Sequence, residues 1–125
     1  MRISIRHILL PALLAVVATQ ARAATVVCGG TVETLAYHQP GLLMLRLSNM
    51  NVPVFICSAD EDWSPAGSLA GVTSPATCRT LYASFLAAKL ARTTINNLYL
   101  DGDLVPGSCG GFSSWARVNL RYFDF

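Results

Sequence analysis

The chain has few charged residues, and past its first 23 positions it has no cluster of basic ones. Lys, Arg, Asp and Glu together make up 13% of the sequence. Three of the nine basic residues lie in the first 23 positions, so the rest of the chain holds six basic against seven acidic residues, a net charge of −1. Because neutralising a row of phosphates takes clustered Lys and Arg, we expect no nucleic-acid partner.

The sequence also lacks an apolar run long enough to span a bilayer. The longest, residues 8–17, has about half of the roughly 20 apolar residues that a membrane helix needs. Two arginines precede it, and Ala21 and Ala23 follow at the −3 and −1 positions of a cleavage site. This order is typical of a secretory signal peptide. We expect residues 1–23 to be removed and residues 24–125 to be one exported globular domain without a stable membrane anchor, in the periplasm or outside the cell.

Motifs for catalysis, cofactors and metals are missing as well. The sequence has no nucleophile elbow, phosphate-binding loop, HExxH motif or dinucleotide fingerprint. His38 is the single histidine after the leader, and the sequence places no acid or nucleophile beside it. The acidic residues at 60–62 and 101–103 lack the spacing of a calcium loop. We therefore expect no cofactor and no metal, and a small hydrolase using His38 is only the third hypothesis.

Four cysteines are present, and all of them follow residue 23: Cys28, Cys57, Cys78 and Cys109. An even number of cysteines in an exported chain predicts two disulfides. A zinc site is the alternative, but the sequence has no C-x-x-C pair and no histidine at ligand spacing from a cysteine. Four cysteines can form two disulfides in three ways, and their number does not decide among these pairings.

The hydrophobic pattern predicts five strands and one helix. The strands are expected at residues 25–37, 42–47, 52–57, 93–100 and 114–123, with Leu43, Leu45 and Leu47 as an apolar stripe on one face of the second. The helix begins at Pro75, with Ser74 as its N-cap, and ends near residue 91. Gly29 and Gly30 predict a bulge or a close backbone approach in the first strand. Residues 58–73 are expected to form a long loop.

Three strands, a helix and two strands are the order of a five-stranded antiparallel barrel of the OB type, with the helix between strands 3 and 4. The fold class is α+β and mostly β, and an open curved sheet with one packed helix is the alternative. In the barrel, Cys57 ends the third strand and Cys78 lies in the first turn of the helix. Cys28 and Cys109 join the first strand to the loop before the last. The pairing Cys57–Cys78 and Cys28–Cys109 is therefore favoured.

Three segments carry a resemblance to a known family: Val-Phe-Ile-Cys at 54–57, the Leu- and Tyr-containing helix at 78–88, and Cys109. They resemble the B subunits of bacterial AB5 toxins, with the subtilase-cytotoxin and pertussis-like types the nearest. The resemblance implies an OB fold, rings of five subunits and glycan binding, and Gly30 or Thr31 falls near the position of that family's glycan-contacting serine. An uncharacterised family of small exported bacterial proteins with the same scaffold is the alternative.

The candidate binding residues are aromatic or polar. Trp63 and Trp115 each offer a flat apolar ring to sugar C–H groups or to a protein. Arg117, Asn119 and Arg121 alternate along the last strand and form a polar row suited to an acidic ligand or a neighbouring subunit. The alternatives are that both tryptophans pack under loops and that the polar row is a solvated strand face.

These features predict a small exported, non-enzymatic binding protein. We expect a glycan- or protein-binding module of the OB type, resembling toxin B subunits and forming a homo-oligomer. The alternative is a periplasmic enzyme inhibitor or accessory protein that inserts the segment at residues 60–63 into its target.

Overall fold

The computed structural model describes residues 24–125, and the predicted leader at residues 1–23 lies outside the described residues. Within residues 24–125 the chain is mostly β with one helix, as predicted. Its elements are, in order, β1 (Ala24–Gly30), β2 (Val32–His38), β3 (Leu42–Leu47), β4 (Val54–Ser58), α1 (Pro75–Ala91), β5 (Ile95–Gly102) and β6 (Asn119–Asp124). The strands form two antiparallel three-stranded sheets, β1-β5-β6 and β2-β3-β4.

The first predicted strand is two strands that belong to different sheets, so the described chain has six strands rather than five. Gly30 has a φ of +123°, a conformation that side-chain-bearing residues rarely adopt, and it ends β1. Gly29 lies so close to β5 that a Cβ on it would stand 2.8 Å from the carbonyl oxygen of Asn96. The two glycines therefore allow both the close pairing with β5 and the change of direction into β2.

A single parallel bridge, between Phe55 of β4 and Arg117, joins the two sheets. The backbone N–H of Phe55 donates to the carbonyl of Ala116 at 2.9 Å, and the N–H of Val118 donates to the carbonyl of Phe55 at 3.0 Å. Because this contact is a bridge and not a ladder, the sheets remain two separate sheets rather than one closed barrel.

The helix follows its prediction closely. Ser74 accepts a hydrogen bond from the backbone N–H of Thr77 at 3.2 Å, and Pro75 occupies the first position of α1. At the end of the helix, the backbone N–H of Arg92 donates to the carbonyls of Ala88 and Lys89, and Arg92 has a φ of +54°. The N–H of Thr93 also donates to the carbonyl of Ala88. This cap delays β5 to Ile95, two residues later than predicted.

The core lies between the sheets and the inner side of α1. The predicted stripe on β3 is confirmed, since Leu43, Leu45 and Leu47 are fully buried. The structure holds two disulfides, Cys28–Cys109 and Cys57–Cys78, which is the pairing that the strand order favoured. Within residues 24–125, α1 does not have the length and hydrophobicity of a membrane-spanning helix.

Candidate functional site

Trp63, predicted as an exposed binding ring, is a buried core residue. Its side chain is 2% exposed, and its indole N–H donates to the carbonyl of Val118 at 2.8 Å. The guanidinium of Arg117 lies over the ring, 4.2 Å from its centre. The ring is therefore packed in the core and presents almost no surface to a ligand.

Asn119, the middle member of the predicted polar row, is fully buried under the same loop. Its side-chain amide donates to the hydroxyl of Ser68 at 2.8 Å and to the carbonyl of Gly71 at 2.7 Å. Its side-chain oxygen accepts from the hydroxyl of Thr73 at 3.0 Å. Every polar atom of this amide is used inside the molecule, so Asn119 holds the loop and has no free group for a ligand.

Arg121, the third member of the row, is paired with a buried carboxylate. It donates two hydrogen bonds to Asp101, at 2.6 and 2.7 Å, and a third to the hydroxyl of Thr25. Burial raises the pKa of Asp101, but the hydrogen bonds from Arg121 and Thr25 outweigh it and hold that pKa below its usual value. Of the three predicted members, Asn119 is buried under the loop, whereas Arg117 and Arg121 are exposed and contact the Trp63 ring and Asp101, respectively.

Thr31 lies at the break between β1 and β2, where its backbone is bonded to Ser48. Its N–H donates to the Ser48 hydroxyl at 3.2 Å, and its carbonyl accepts from the Ser48 N–H at 2.9 Å. It lines an open cleft of about 510 Å³ together with Lys89 and Arg92. Trp115 lines a different cleft, so the structure does not bring these two predicted residues together.

Of the two tryptophans predicted to bind a ligand, Trp115 is the exposed one. Its side chain is 56% exposed, and its backbone has a φ of +68°. A left-handed conformation is uncommon for a residue with a bulky side chain, and it costs about 1–3 kcal/mol. This turn also explains why β6 begins at Asn119 rather than at residue 114 as predicted. Strain of this kind is concentrated at ligand-binding positions in proteins.

Two other aromatic rings hold Trp115 in place. The ring of His38 lies edge-on at 4.9 Å from the Trp115 ring, and the ring of Phe55 lies 5.6 Å away. His38 and Phe55 also contact each other, at 5.5 Å. Phe55 pairs with Met44 across β3 and β4. We call the cluster of His38, Met44, Phe55 and Trp115 the aromatic face; Phe55 is its buried member and supports the other side chains from beneath.

A small cleft opens beside the aromatic face. It has a volume of about 220 Å³ and is lined by carbon-rich side chains and one hydroxyl, from Met44, Val52, Pro53, Ser114 and Trp115. A cleft of this size takes one sugar ring or one large apolar side chain. Stacking and dispersion against the Trp115 ring are the interactions that it offers.

The loop that carries Trp115 is fixed at its base. The disulfide Cys28–Cys109 ties it to β1. The side-chain amide of Asn51 donates to the carbonyl of Phe112 at 2.8 Å and accepts from its N–H at 3.1 Å. Residues 103–118 therefore present Trp115 from a held loop, which is how binding residues are commonly displayed.

His38 is a member of the aromatic face, but the structure gives it no catalytic partner. Its Nδ1 lies 2.6 Å from the carbonyl oxygen of Gln39. Among the hydrogen bonds within residues 24–125, none joins its ring to a carboxylate or to a hydroxyl. In that part of the chain, no three His, Cys, Asp or Glu side chains converge as a metal site either.

Sequence reasoning missed three of the four residues of the aromatic face. Alternation on β3, where Leu43 and Leu45 are buried, does place Met44 on the opposite side of the strand. Nothing in the sequence joins His38 to Trp115, because the contact forms only when the turn after β2 meets the loop before β6.

The chain matches no protein-family model, and neither a curated protein nor a solved structure shows significant similarity to it. The candidate site therefore stands on its geometry alone.

Proposed function

We propose that this protein is a small exported binding module that takes a sugar ring or an apolar side chain of a glycan or protein ligand on its aromatic face. The observation that carries the proposal is the exposed Trp115, held at a positive φ against His38 and Phe55. A large exposed aromatic ring in a strained, anchored loop has little structural reason to be there, whereas tryptophan is enriched at the residues that dominate binding energy.

Export is supported by the cysteines. Both disulfides lie within residues 24–125, and no cysteine in that part of the chain is free. Stable disulfides are typical of the periplasm and the extracellular space, and rare in reducing compartments. The signal peptide at residues 1–23 accounts for such a location and remains part of the proposal.

The proposed binding module has an OB-type arrangement of strands that is split into two separate sheets. Its support is the single parallel bridge between Phe55 and Arg117, together with the helix between the third and fourth predicted strands. OB folds bind ligands on their second and third strands and on the loops that flank them. Met44 and Phe55 of the aromatic face lie on β3 and β4, which are the second and third predicted strands, while His38 ends β2 and Trp115 lies in the loop at 103–118. The similarity to toxin B subunits is a prediction that forms part of this proposal. The formation of a homo-oligomer is a second such prediction.

The proposal is tested with residues 24–125 on a glycan array and against a displayed peptide library. For each ligand found, the Kd is measured for the wild type, for Trp115→Ala and for Tyr122→Ala. Tyr122 is a matched control because it is 53% exposed on the other sheet. Since truncating a dominant interface residue costs about 2 kcal/mol or more, we expect Trp115→Ala to weaken binding about 30-fold and Tyr122→Ala to leave it unchanged. Ligands that bind Trp115→Ala as tightly as the wild type, or the absence of any ligand, would contradict the proposal.

A further inference from the structure

A second surface of the molecule, residues 64–72, is a loop with no charged residue. We call it the 64–72 loop. Its two ends are joined by an antiparallel bridge between Trp63 and Thr73, in which each backbone N–H donates to the other's carbonyl at 2.9 Å. The loop therefore leaves and re-enters the body of the protein at one closed point.

The interior of the 64–72 loop is held by hydrogen bonds. Buried Asn119 bonds Ser68 and Gly71 from below. The N–H of Ser68 donates to the carbonyl of Pro65 at 3.2 Å, and the N–H of Asp103 donates to the carbonyl of Ala66 at 2.9 Å. A loop fixed in this way loses little conformational entropy when it binds, which is the advantage of a preformed binding element.

The exterior of the 64–72 loop is apolar. Leu69 is 63% exposed and Val72 is 64% exposed, and Leu104, on the neighbouring turn after β5, is also exposed. A cleft of about 370 Å³ is lined by Pro65 and Ala66 of the same loop and by Leu104, together with Asp103 and Arg117. Single exposed aliphatic residues are ordinary, but two of them on a rigid uncharged loop beside an apolar cleft mark a contact surface.

Three consecutive acids stand at the base of the 64–72 loop. Asp60, Glu61 and Asp62 are all exposed. In the described part of the chain the ion pairs are Arg46–Glu33 and Arg121–Asp101, and none of these three acids is a member of either. Together with Asp103 of the adjoining cleft, these acids outnumber Arg117 of the same cleft, so a partner that approaches the loop meets an apolar tip and a mostly negative rim. Charge complementarity then favours a basic rim around the receiving site.

We propose that the 64–72 loop is a preformed docking loop that inserts Leu69 and Val72 into an apolar pocket of a protein partner whose rim is basic. This surface is separate from the aromatic face, and it replaces the segment at residues 60–63 as the inserting element of the inhibitor hypothesis. The negative rim disfavours an anionic membrane surface, which is the other environment that takes up exposed aliphatic side chains.

The first arm of the test uses the full chain in the cell that exports it. Leu69 is replaced by a photo-crosslinking residue, and the matched control carries the same residue in place of Leu90, which is 77% exposed on α1. We expect one protein to be captured at position 69 and not at position 90. Equal capture at both positions, or no capture at position 69, would overturn the proposal.

The second arm uses the captured partner after it has been identified and purified. The Kd is measured for the wild type, for the double variant Leu69→Ser/Val72→Ser and for Leu90→Ser. We expect the double variant to bind at least ~30-fold more weakly and Leu90→Ser to bind as the wild type does. Because both loop side chains are exposed, the double variant should keep the wild-type urea midpoint. Wild-type affinity in the double variant would overturn the proposal.

Two further measurements separate the charge and lipid contributions. Asp60→Asn/Asp62→Asn should slow association with the purified partner, and added salt should slow association of the wild type in the same way. Flotation with phosphatidylglycerol vesicles tests the lipid alternative. Vesicle binding that disappears in Leu69→Ser/Val72→Ser would assign the loop to a membrane surface and would overturn the protein-partner proposal.

Discussion

At the scale of single residues, the polar row on the last strand shows how a solvent-facing pattern is put to internal use. Arg117 lies over the Trp63 ring, Asn119 holds the loop above it, and Arg121 pairs with buried Asp101. Alternation along a strand says which side chains share a face, but it does not say what covers that face. Here the loop at residues 58–73 covers Asn119 and leaves Arg117 and Arg121 exposed, so one member of the predicted row supports the loop and the other two stay at the surface.

The Asp101–Arg121 pair gives the first prediction, which concerns acid stability. The pKa of Asp101 is lower in the folded protein than its usual value of 3.8. The stability that this carboxylate contributes is therefore fully present above pH 3.8 and is lost as the pH falls through the folded-state pKa. We expect the free energy of unfolding of the wild type to fall steeply below that pH in urea titrations.

The control for this prediction is a pair of variants. Asp101→Asn should have lower stability at neutral pH and a shallower loss of stability in acid, because its amide does not titrate. Asp103→Asn, at an exposed acid in the turn that follows β5, should keep the wild-type acid dependence. An Asp101→Asn protein with the same acid dependence as the wild type would show that another group causes it.

At the scale of elements, the division of the first strand decides the architecture. The glycines at 29 and 30 predicted a bulge or a close approach, and the structure has both a register shift after Cys28 and close contact with β5. That β1 and β2 then belong to different sheets was not predictable, because a local signal marks a break but not the partners on its two sides. The helix was predictable to the residue because its caps are local.

Gly29 gives the second prediction. Since a Cβ at this position would stand 2.8 Å from the backbone oxygen of Asn96, Gly29→Ala must push β1 away from β5. We expect a loss of about 1–3 kcal/mol in the free energy of unfolding, as for overpacking in a core. The measurement is urea unfolding followed by tryptophan fluorescence.

The matched control is Gly107→Ala. A Cβ added to Gly107 would have open space around it, with no heavy atom within 4 Å beyond the neighbouring residues, and its φ is not in the left-handed region. The same substitution there should leave stability unchanged or raise it by up to about 1 kcal/mol, because alanine restricts the unfolded chain. Equal effects at the two glycines would argue against the close β1–β5 contact.

At the scale of the whole molecule, the two disulfides join parts that the sheets alone do not hold. Cys57–Cys78 ties β4 to α1, and Cys28–Cys109 ties β1 to the loop that carries Trp115. The first closes a sequence separation of 21 residues and the second a separation of 81. On the chain-entropy model these loops stabilise the fold by roughly 3 and 4.5 kcal/mol, a large share of the roughly 5–15 kcal/mol typical of a small domain.

The third prediction follows from this difference in loop length. Cys28→Ala/Cys109→Ala should lower the free energy of unfolding more than Cys57→Ala/Cys78→Ala, as measured by urea unfolding of each pair variant. The first variant should also weaken ligand binding to the aromatic face, because it releases the loop at residues 103–118. A larger loss of stability from the shorter loop would mean that packing around Cys57 and Cys78, rather than chain entropy, dominates.

The sequence by itself determined the helix and its caps, the leucine stripe of β3, the break at Gly29 and Gly30, and, through the order of strands, the cysteine pairing. Each of these depends on neighbours in the chain or on the order of elements, which are readable from a linear pattern. Only the tertiary structure decided that Trp63 is core and Trp115 is exposed, and that His38 and Phe55 are the partners of Trp115. The reason is that the exposure of a side chain in a loop depends on which distant segments pack against it. Those contacts are set by the packing of the whole molecule.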